Sequence, residues 1–392
     1  MIPFEEALEI VLNNAIPSGE EMLGIESAAG RVLSRDVFSD IDMPPFDKSA
    51  VDGFACRIQD AVYGMEFRLL ETIPAGTVPE NPVHEGECSK IMTGGMLPAG
   101  ADTVIMVEDT EMSSADHIKF TKEKTSVNIC FKAEDIKKGQ KVLEKGTRLE
   151  PAHFAVLATV GNTRIWVARQ PHIGIISTGN ELVEPEQVPF GSQIRNSNAC
   201  QLVAQARQIP ALCSYFGIAD DSPEELNDKI SMGLYETDIV ILTGGVSMGD
   251  FDYVPAAIES LGAKILFKSL AIQPGRPTVF ARYDKQFIFG LPGNPVSSFV
   301  LFELMVKPFV LKMMGCNEQP RLLKLPMGID FSRKKTLRKS VIPVIVDEGA
   351  VYPLEYHGSA HINAYTKAGG MMIVDIGQTE IKKGETANVR LL

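Results

Sequence analysis

The chain is 392 residues long, enough at roughly 150 residues per domain for two to four domains, each burying its own core. Apolar residues make up 45% and charged residues 22%, with 33 Gly and 24 Pro spread throughout, a globular profile that excludes collagen, coiled coil and wholesale disorder. With 38 Lys and Arg against 50 Asp and Glu the formal charge is −12, which disfavours unspecific binding to nucleic acid or anionic membranes and leaves any anionic ligand to local donors.

In chain order, residues 4–14 place Phe4, Leu8, Val11 and Leu12 on one helical face behind Pro3. Residues 38–135 carry short β-type runs (67–72, 103–107, 117–120) between Pro, Gly and Asn clusters, the pattern of a separate β-rich module. From about residue 163, strands alternate with helices: strand 172–177, helix 199–208, strand 212–217. Ser222 is then a candidate N-cap, with Pro223 at the first helical position and Glu225 completing a capping box. Strand 238–243, helix 253–261, strand 287–290 and helix 296–314 follow. This alternation predicts an α/β fold with a parallel, doubly wound sheet. Beyond Pro320 short strands return (341–346, 371–376, 387–391), consistent with a small β domain. The apolar stretch 296–314 is broken by Glu303, Lys307, Pro308 and Lys312, so it reads as a buried helix, not a membrane span. The six cysteines form no CxxC pair, and Glu5 and Glu6 stand where a signal peptide would be basic. Reduced thiols and a cytoplasmic location are expected.

Ligands of open α/β sheets bind beyond the carboxyl ends of the strands. Here those ends run into Ser177-Thr178-Gly179-Asn180-Glu181, into Gly244-Gly245-Val246-Ser247-Met248-Gly249-Asp250 and into Leu291-Pro292-Gly293-Asn294-Pro295. A fourth turn, Pro274-Gly275-Arg276-Pro277, lies between. Glycines let backbone N–H groups approach an anion and hydroxyls add donors, so the four turns together predict a site for a phosphorylated ligand. Neither GxxxxGK[ST] nor GxGxxG is present. Asp220, Asp221, Asp250 and Asp252 are hard oxygen donors suited to Mg²⁺ held jointly with a phosphate. Asp221 and Asp250 serve equally well as helix caps, which makes Asp252 the better metal candidate. His357 and His361 have half-site spacing for a metal but sit in a loop context. The basic run of Arg333, Lys334, Lys335, Arg338 and Lys339 is either a solvated turn or an anion-attracting rim.

Asp42-Met43-Pro44-Pro45-Phe46-Asp47-Lys48-Ser49-Ala50-Val51-Asp52-Gly53, Met92-Thr93-Gly94-Gly95, Glu134-Asp135, the three strand-end turns through Ser297, and Pro274 to Pro277 occur in order. On these motifs the chain resembles the molybdopterin molybdenumtransferases, the family of bacterial MoeA and the gephyrin E domain. The resemblance implies four parts: a molybdopterin-binding α/β domain (1–19 and 163–318), a connecting domain (20–37 and 136–162), a lollipop-like β domain (38–135) and a C-terminal β-barrel (319–392). It implies a homodimer whose clefts lie between subunits, with molybdate and adenylylated molybdopterin as substrates, AMP as product and Mg²⁺ as cofactor. Asp52, Asp135, Asp221 and Asp252 would be the catalytic carboxylates, Asp221 and Asp252 holding the metal. Thr178, Glu181, Gly244, Gly245, Ser247, Gly249, Pro292, Gly293, Asn294, Pro295 and Ser297 would bind the pterin and phosphate. Thr93 and the turn Pro274, Gly275, Arg276 and Pro277 would also contact substrate.

Three positions depart from the family pattern. Cys130 and Gln273 replace cations, Pro343 stands where an arginine is expected, and Lys132 is left as the cation before Glu134. Three missing charged hydrogen bonds, at about 1.5–3 kcal/mol each, predict weaker oxyanion affinity, which Gln273→Lys would restore unless Arg276 and Lys268 already compensate. Tungstate or a modified pterin as substrate, and a gephyrin-like scaffold role, are the alternative readings.

Overall fold

The structure, a computed structural model, describes residues 1–246, 253–356, 358 and 360–392. Ser247, Gly249, Asp250, Asp252 and His357 lie outside the described residues. Two compact units are present: Met1–Arg35 with Lys145–Pro151 and Arg164–Leu392, and Asp36–Glu144 with Ala152–Thr163.

The second unit is built on a six-stranded sheet in the order Thr103–Met106, Gly53–Cys56, Glu87–Ile91, Glu66–Ile73, His117–Phe120, Thr110–Met112. Every pairing is antiparallel except that of Glu66–Ile73 with Glu87–Ile91. Phe54, Cys56, Phe67, Cys88, Ile105, Ile118 and Phe120 form its core, the apolar half of the alternating pattern in those runs.

In the first unit a six-stranded sheet runs Leu212–Ala219, His172–Thr178, Ile239–Thr243, Gln286–Leu291, Val279–Tyr283, Lys264–Phe267. The first four strands are parallel and the last two antiparallel, so the sheet is mixed where the sequence reading gave a wholly parallel one. The two antiparallel strands were missed because each is only four or five residues long among Gly and Pro. They are joined to the parallel set by a two-residue turn with Asp284 at φ 49°. Helices Ser197–Ala206 and Pro223–Glu236 begin on Asn196 and Ser222, whose side chains accept from the N–H groups of Ala199 and Glu225. The expected helix 296–314 is helical throughout but not uniform: α-helical Pro295–Leu301 and Lys307–Met313 flank a π-helical turn, Phe302–Val306. Pro308 has no N–H for the carbonyl of Leu304, which favours a widened turn there. Phe280, Phe287, Phe289 and Phe309 interlock beneath the sheet, with centroid separations of 4.8 Å for Phe280–Phe289 and for Phe287–Phe309.

The direction in which strands are added reverses between His172–Thr178, whose crossover leads outward to Leu212–Ala219, and Ile239–Thr243, whose other neighbour is Gln286–Leu291. This is the topological switch point, where the carboxyl-end loops part into a crevice. A second sheet, Ile272–Gln273, Lys339–Asp347, Gly370–Val374, Thr386–Leu391, Leu322–Pro326, holds the C-terminal residues, with Ala350–Pro353 on Lys339–Asp347. Its first member belongs to the turn region of the α/β part: Ile272 registers with Lys339 and Gln273 with Ser340.

Candidate active site

Thr178, Gly179, Glu181, Asp221, Gly244, Gly245 and Gly293 line a cavity of about 570 Å³ at the switch point. The glycines are needed by geometry. Gly244 has φ +98°, and a Cβ there would lie 2.4 Å from the Thr178 carbonyl oxygen; at Gly245, φ +61°, it would lie 3.0 Å from the Thr178 hydroxyl. Gly293 closes from the other side, with Gly244 Cα 3.5 Å from where its Cβ would be. Thr178 itself is buried, its hydroxyl donating to the Thr243 carbonyl at 3.4 Å. Asn180 and Asp221 tie two loops together: the Asp221 N–H donates to Asn180 Oδ1 at 3.0 Å and the Asn180 N–H to Asp221 Oδ2 at 3.4 Å. The cap of the following helix is Ser222. Asp221 is therefore not that cap, and its carboxylate and that of Glu181 give the cavity an acidic end.

A larger cavity of about 1000 Å³ adjoins it, with Val246, Pro277, Pro292 and Asn294 lining both. Pro274, Gly275, Arg276 and Ser297 line it, and Pro295 begins the helix that carries Ser297. Sequence reasoning did not single out Tyr356, and it gave Arg338 only as one member of a basic run. Tyr356 has its phenol pushed up to about 12 by burial, so it is a neutral hydroxyl at physiological pH. Arg338 donates from Nη2 to Gln273 Oε1 at 3.2 Å. The basic run that was read as a single feature divides here. Arg333 folds back onto the carbonyls of Gln378 at 2.7 Å, Arg338 at 2.9 Å and Asp375. Lys339 pairs with Glu5 and, at 3.0 Å, with Asp375, leaving Arg338 to face the cleft. Asn198, buried under the cleft floor, donates to the Gly293 carbonyl at 2.8 Å, and its Oδ1 has no partner among the described residues.

In the second unit the structure brings Asp52 and Thr93 together. The Thr93 N–H at 2.7 Å and hydroxyl at 2.8 Å both donate to Asp52 Oδ1, holding its carboxyl below the usual range. Asp135 is exposed, its N–H donating to the Met43 carbonyl at 3.0 Å. Lys132 is turned onto Asp42 at 3.5 Å, and Cys130 lies in a strand pairing with Lys48–Ser49. Pro343 is buried within a strand opposite Met371 and does not line the cleft. Among the described residues no three His, Cys, Asp or Glu converge on a metal-sized point, and His361 precedes the short helix Ile362–Lys367. For Mg²⁺ the donors at the acidic end, Asp221 and Glu181, are hard carboxylate oxygens. Two such ligands fit an ion that takes its remaining oxygens from a bound phosphate and water.

Residues 2–161 match the family described as MoeA N-terminal region (domain I and II), and residues 174–312 the family described as probable molybdopterin binding domain. The molybdopterin molybdenumtransferase of Staphylococcus epidermidis RP62A is 34% identical over 406 residues, covering 100% of this chain and 95% of that protein. That of Staphylococcus aureus COL is 34% identical over 400 residues, with the same coverage. The crystal structure of the molybdopterin biosynthesis moeA protein from Pyrococcus horikoshii OT3 superposes with a TM-score of 0.86 at 29% identity, covering 100% of both chains. A second Pyrococcus horikoshii moeA structure gives 0.82 at 31%, covering 100% of this chain and 99% of the other. Matched along its whole length in sequence and in fold, the chain belongs to the molybdopterin molybdenumtransferase family.

Proposed function

We propose that this chain inserts molybdate into adenylylated molybdopterin and releases AMP, a step of molybdenum cofactor biosynthesis. The observation that carries the reading is the two-ended cleft: carboxylates at Asp221 and Glu181, glycine-lined walls at Gly244, Gly245 and Gly293 in the middle, and guanidinium groups at Arg276 and Arg338 at the far end. The glycines allow a phosphoanhydride to approach the backbone closely. Arg276 and Arg338 neutralise an oxyanion, and Tyr356, protonated at neutral pH, adds a donor. Mg²⁺, held by Asp221 with Glu181 at the acidic end and, as the sequence pattern implies, with Asp252, would supply charge neutralisation at the phosphates. No covalent nucleophile is required. The homodimer and the partner-facing role of Asp52, Thr93 and Asp135 belong to the same reading, as does a cytoplasmic location, which six free cysteines support.

AMP release from adenylylated molybdopterin, followed chromatographically with and without molybdate and with EDTA, tests it. AMP should appear only with molybdate and a divalent cation, and Asp252→Ala should abolish release while leaving the thermal unfolding midpoint unchanged. AMP release indifferent to molybdate would sink the proposal, and release that survives EDTA would remove the Mg²⁺ from it. A large fall in unfolding midpoint in Asp252→Ala would mark Asp252 as structural.

A further inference from the structure

Two amides at the start of the helix Ser197–Ala206 reach the two walls of the smaller cavity. Asn196 serves one wall. Its Oδ1 accepts from the Ser177 hydroxyl at 3.1 Å and from the Ala199 N–H at 3.3 Å, while its Nδ2 donates to the Tyr215 hydroxyl at 2.8 Å. Ser177 in turn accepts from the Thr243 hydroxyl at 3.4 Å, so the strand ends that lead into Thr178 and Gly244 share one buried network. Asn198 serves the other wall. Its Nδ2 donates to the Gly293 carbonyl at 2.8 Å, and its buried Oδ1 has no partner among the described residues. The clearance between the walls is small: a Cβ on Gly293 would stand 3.5 Å from Gly244 Cα. A buried acceptor without a donor costs stability, and Gly293 is exposed, so water can take the place of the Asn198 N–H at its carbonyl. For stability alone, a small apolar residue at 198 serves at least as well. What the asparagine adds is a fixed place for the Gly293 peptide.

We infer that Asn198 is a positioning residue for the substrate: together with Asn196 it forms a strut across the slot between Gly244 and Gly293 and sets that slot's width for a phosphate group. The inference rests on the transferase reading above, which puts the phosphoanhydride between these glycines. A short amide-to-carbonyl bond from a helix holds the turn Leu291–Pro295 in one orientation, so its backbone is in place before the ligand arrives. Without that bond the turn samples several orientations, and binding must bear the cost of ordering it. Asn198 therefore acts through Gly293, on affinity, and its unpaired Oδ1 is the stability given up for that placement.

Calorimetric titration of AMP into the full-length wild type, Asn198→Ala and Asn198→Asp tests this, with thermal unfolding and hydrogen exchange of the segment 291–295 measured on the same samples. Asn198→Ala should weaken AMP binding about fivefold, the equivalent of one hydrogen bond, and speed exchange of the segment, while its unfolding midpoint holds or rises. Asn198→Asp keeps the shape but sets a carboxylate oxygen against the Gly293 carbonyl, and it should weaken AMP binding further. A role in packing alone predicts the opposite: a lower midpoint in Asn198→Ala, with AMP affinity following it. Should Asn198→Ala fail to fold, Asn198→Ser makes the same comparison. AMP affinity or exchange unchanged in Asn198→Ala, affinity lost together with a large fall in midpoint, or a wild type that binds no AMP each overturns the inference. Molybdate-dependent AMP release by the wild type is scored independently, so the strut can fail while the transferase reading stands.

Discussion

Thr93 donates to Asp52 twice, from its backbone N–H and from its hydroxyl, and both bonds favour the ionised carboxylate. Because the folded-state pKa is lowered, the contribution of this pair to stability is present above the ordinary value of 3.8 and is lost as the pH falls through the lower folded value. Thr93→Val keeps the N–H and removes the hydroxyl. Carboxyl NMR titration should show the Asp52 midpoint rising toward 3.8 without reaching it. At Gly244, where a Cβ would stand 2.4 Å from a backbone oxygen at φ +98°, alanine should displace the turn against Thr178. Gly244→Ala should cost about 1–3 kcal/mol in denaturant unfolding and most of the AMP release, while Gly262→Ala, a positive-φ position open to solvent, should reduce stability alone. The glycine turns were legible in the sequence because their chemistry is local: glycine, hydroxyl and proline in a row at a strand end. Arg338 was not. Its meaning depends on a pairing between residues 272–273 and 339–340 that no local pattern announces, and on Arg333 and Lys339 being occupied elsewhere.

Among the elements, those with a strong period or a cap were readable from residue types alone. Ser222 caps Pro223–Glu236 as its position before Pro223 and Glu225 indicated, and Ser222→Ala should lower stability by about 1 kcal/mol in urea unfolding without moving the cleft. The antiparallel strands Lys264–Phe267 and Val279–Tyr283 were missed because runs of four and five residues have no period to show. They owe their place to tertiary packing, Phe267 and Phe280 entering the aromatic cluster with centroids 5.8 Å apart. Phe309→Ala, which empties the centre of that cluster, should destabilise by about 3–5 kcal/mol, measured by the same unfolding curves. The π-helical turn at Phe302–Val306 was equally invisible. Glu303 sits within it, buried, accepting from Gln205 Nε2 at 3.0 Å and pairing with Lys307 at 3.0 Å, so a charge that looked like an interruption of an apolar helix is a satisfied internal group.

At the scale of the molecule, the proposed homodimer predicts twice the subunit mass by light scattering at micromolar concentration, and a monomeric mass with full AMP release would remove the shared-cleft arrangement. The pairing of Ile272–Gln273 with the beginning of Lys339–Asp347 also has a consequence in time. A chain made from its N-terminus at about 5–20 residues per second exposes the glycine turns and Asp221 first, and Arg338 only on the order of seconds later. Until that last sheet forms, a nascent chain carries the cleft's carboxylates and Arg276 without Arg338. A ribosome-bound copy thus holds an unfinished cleft, whose wall at Arg338 arrives only when residues 339–340 can pair with 272–273.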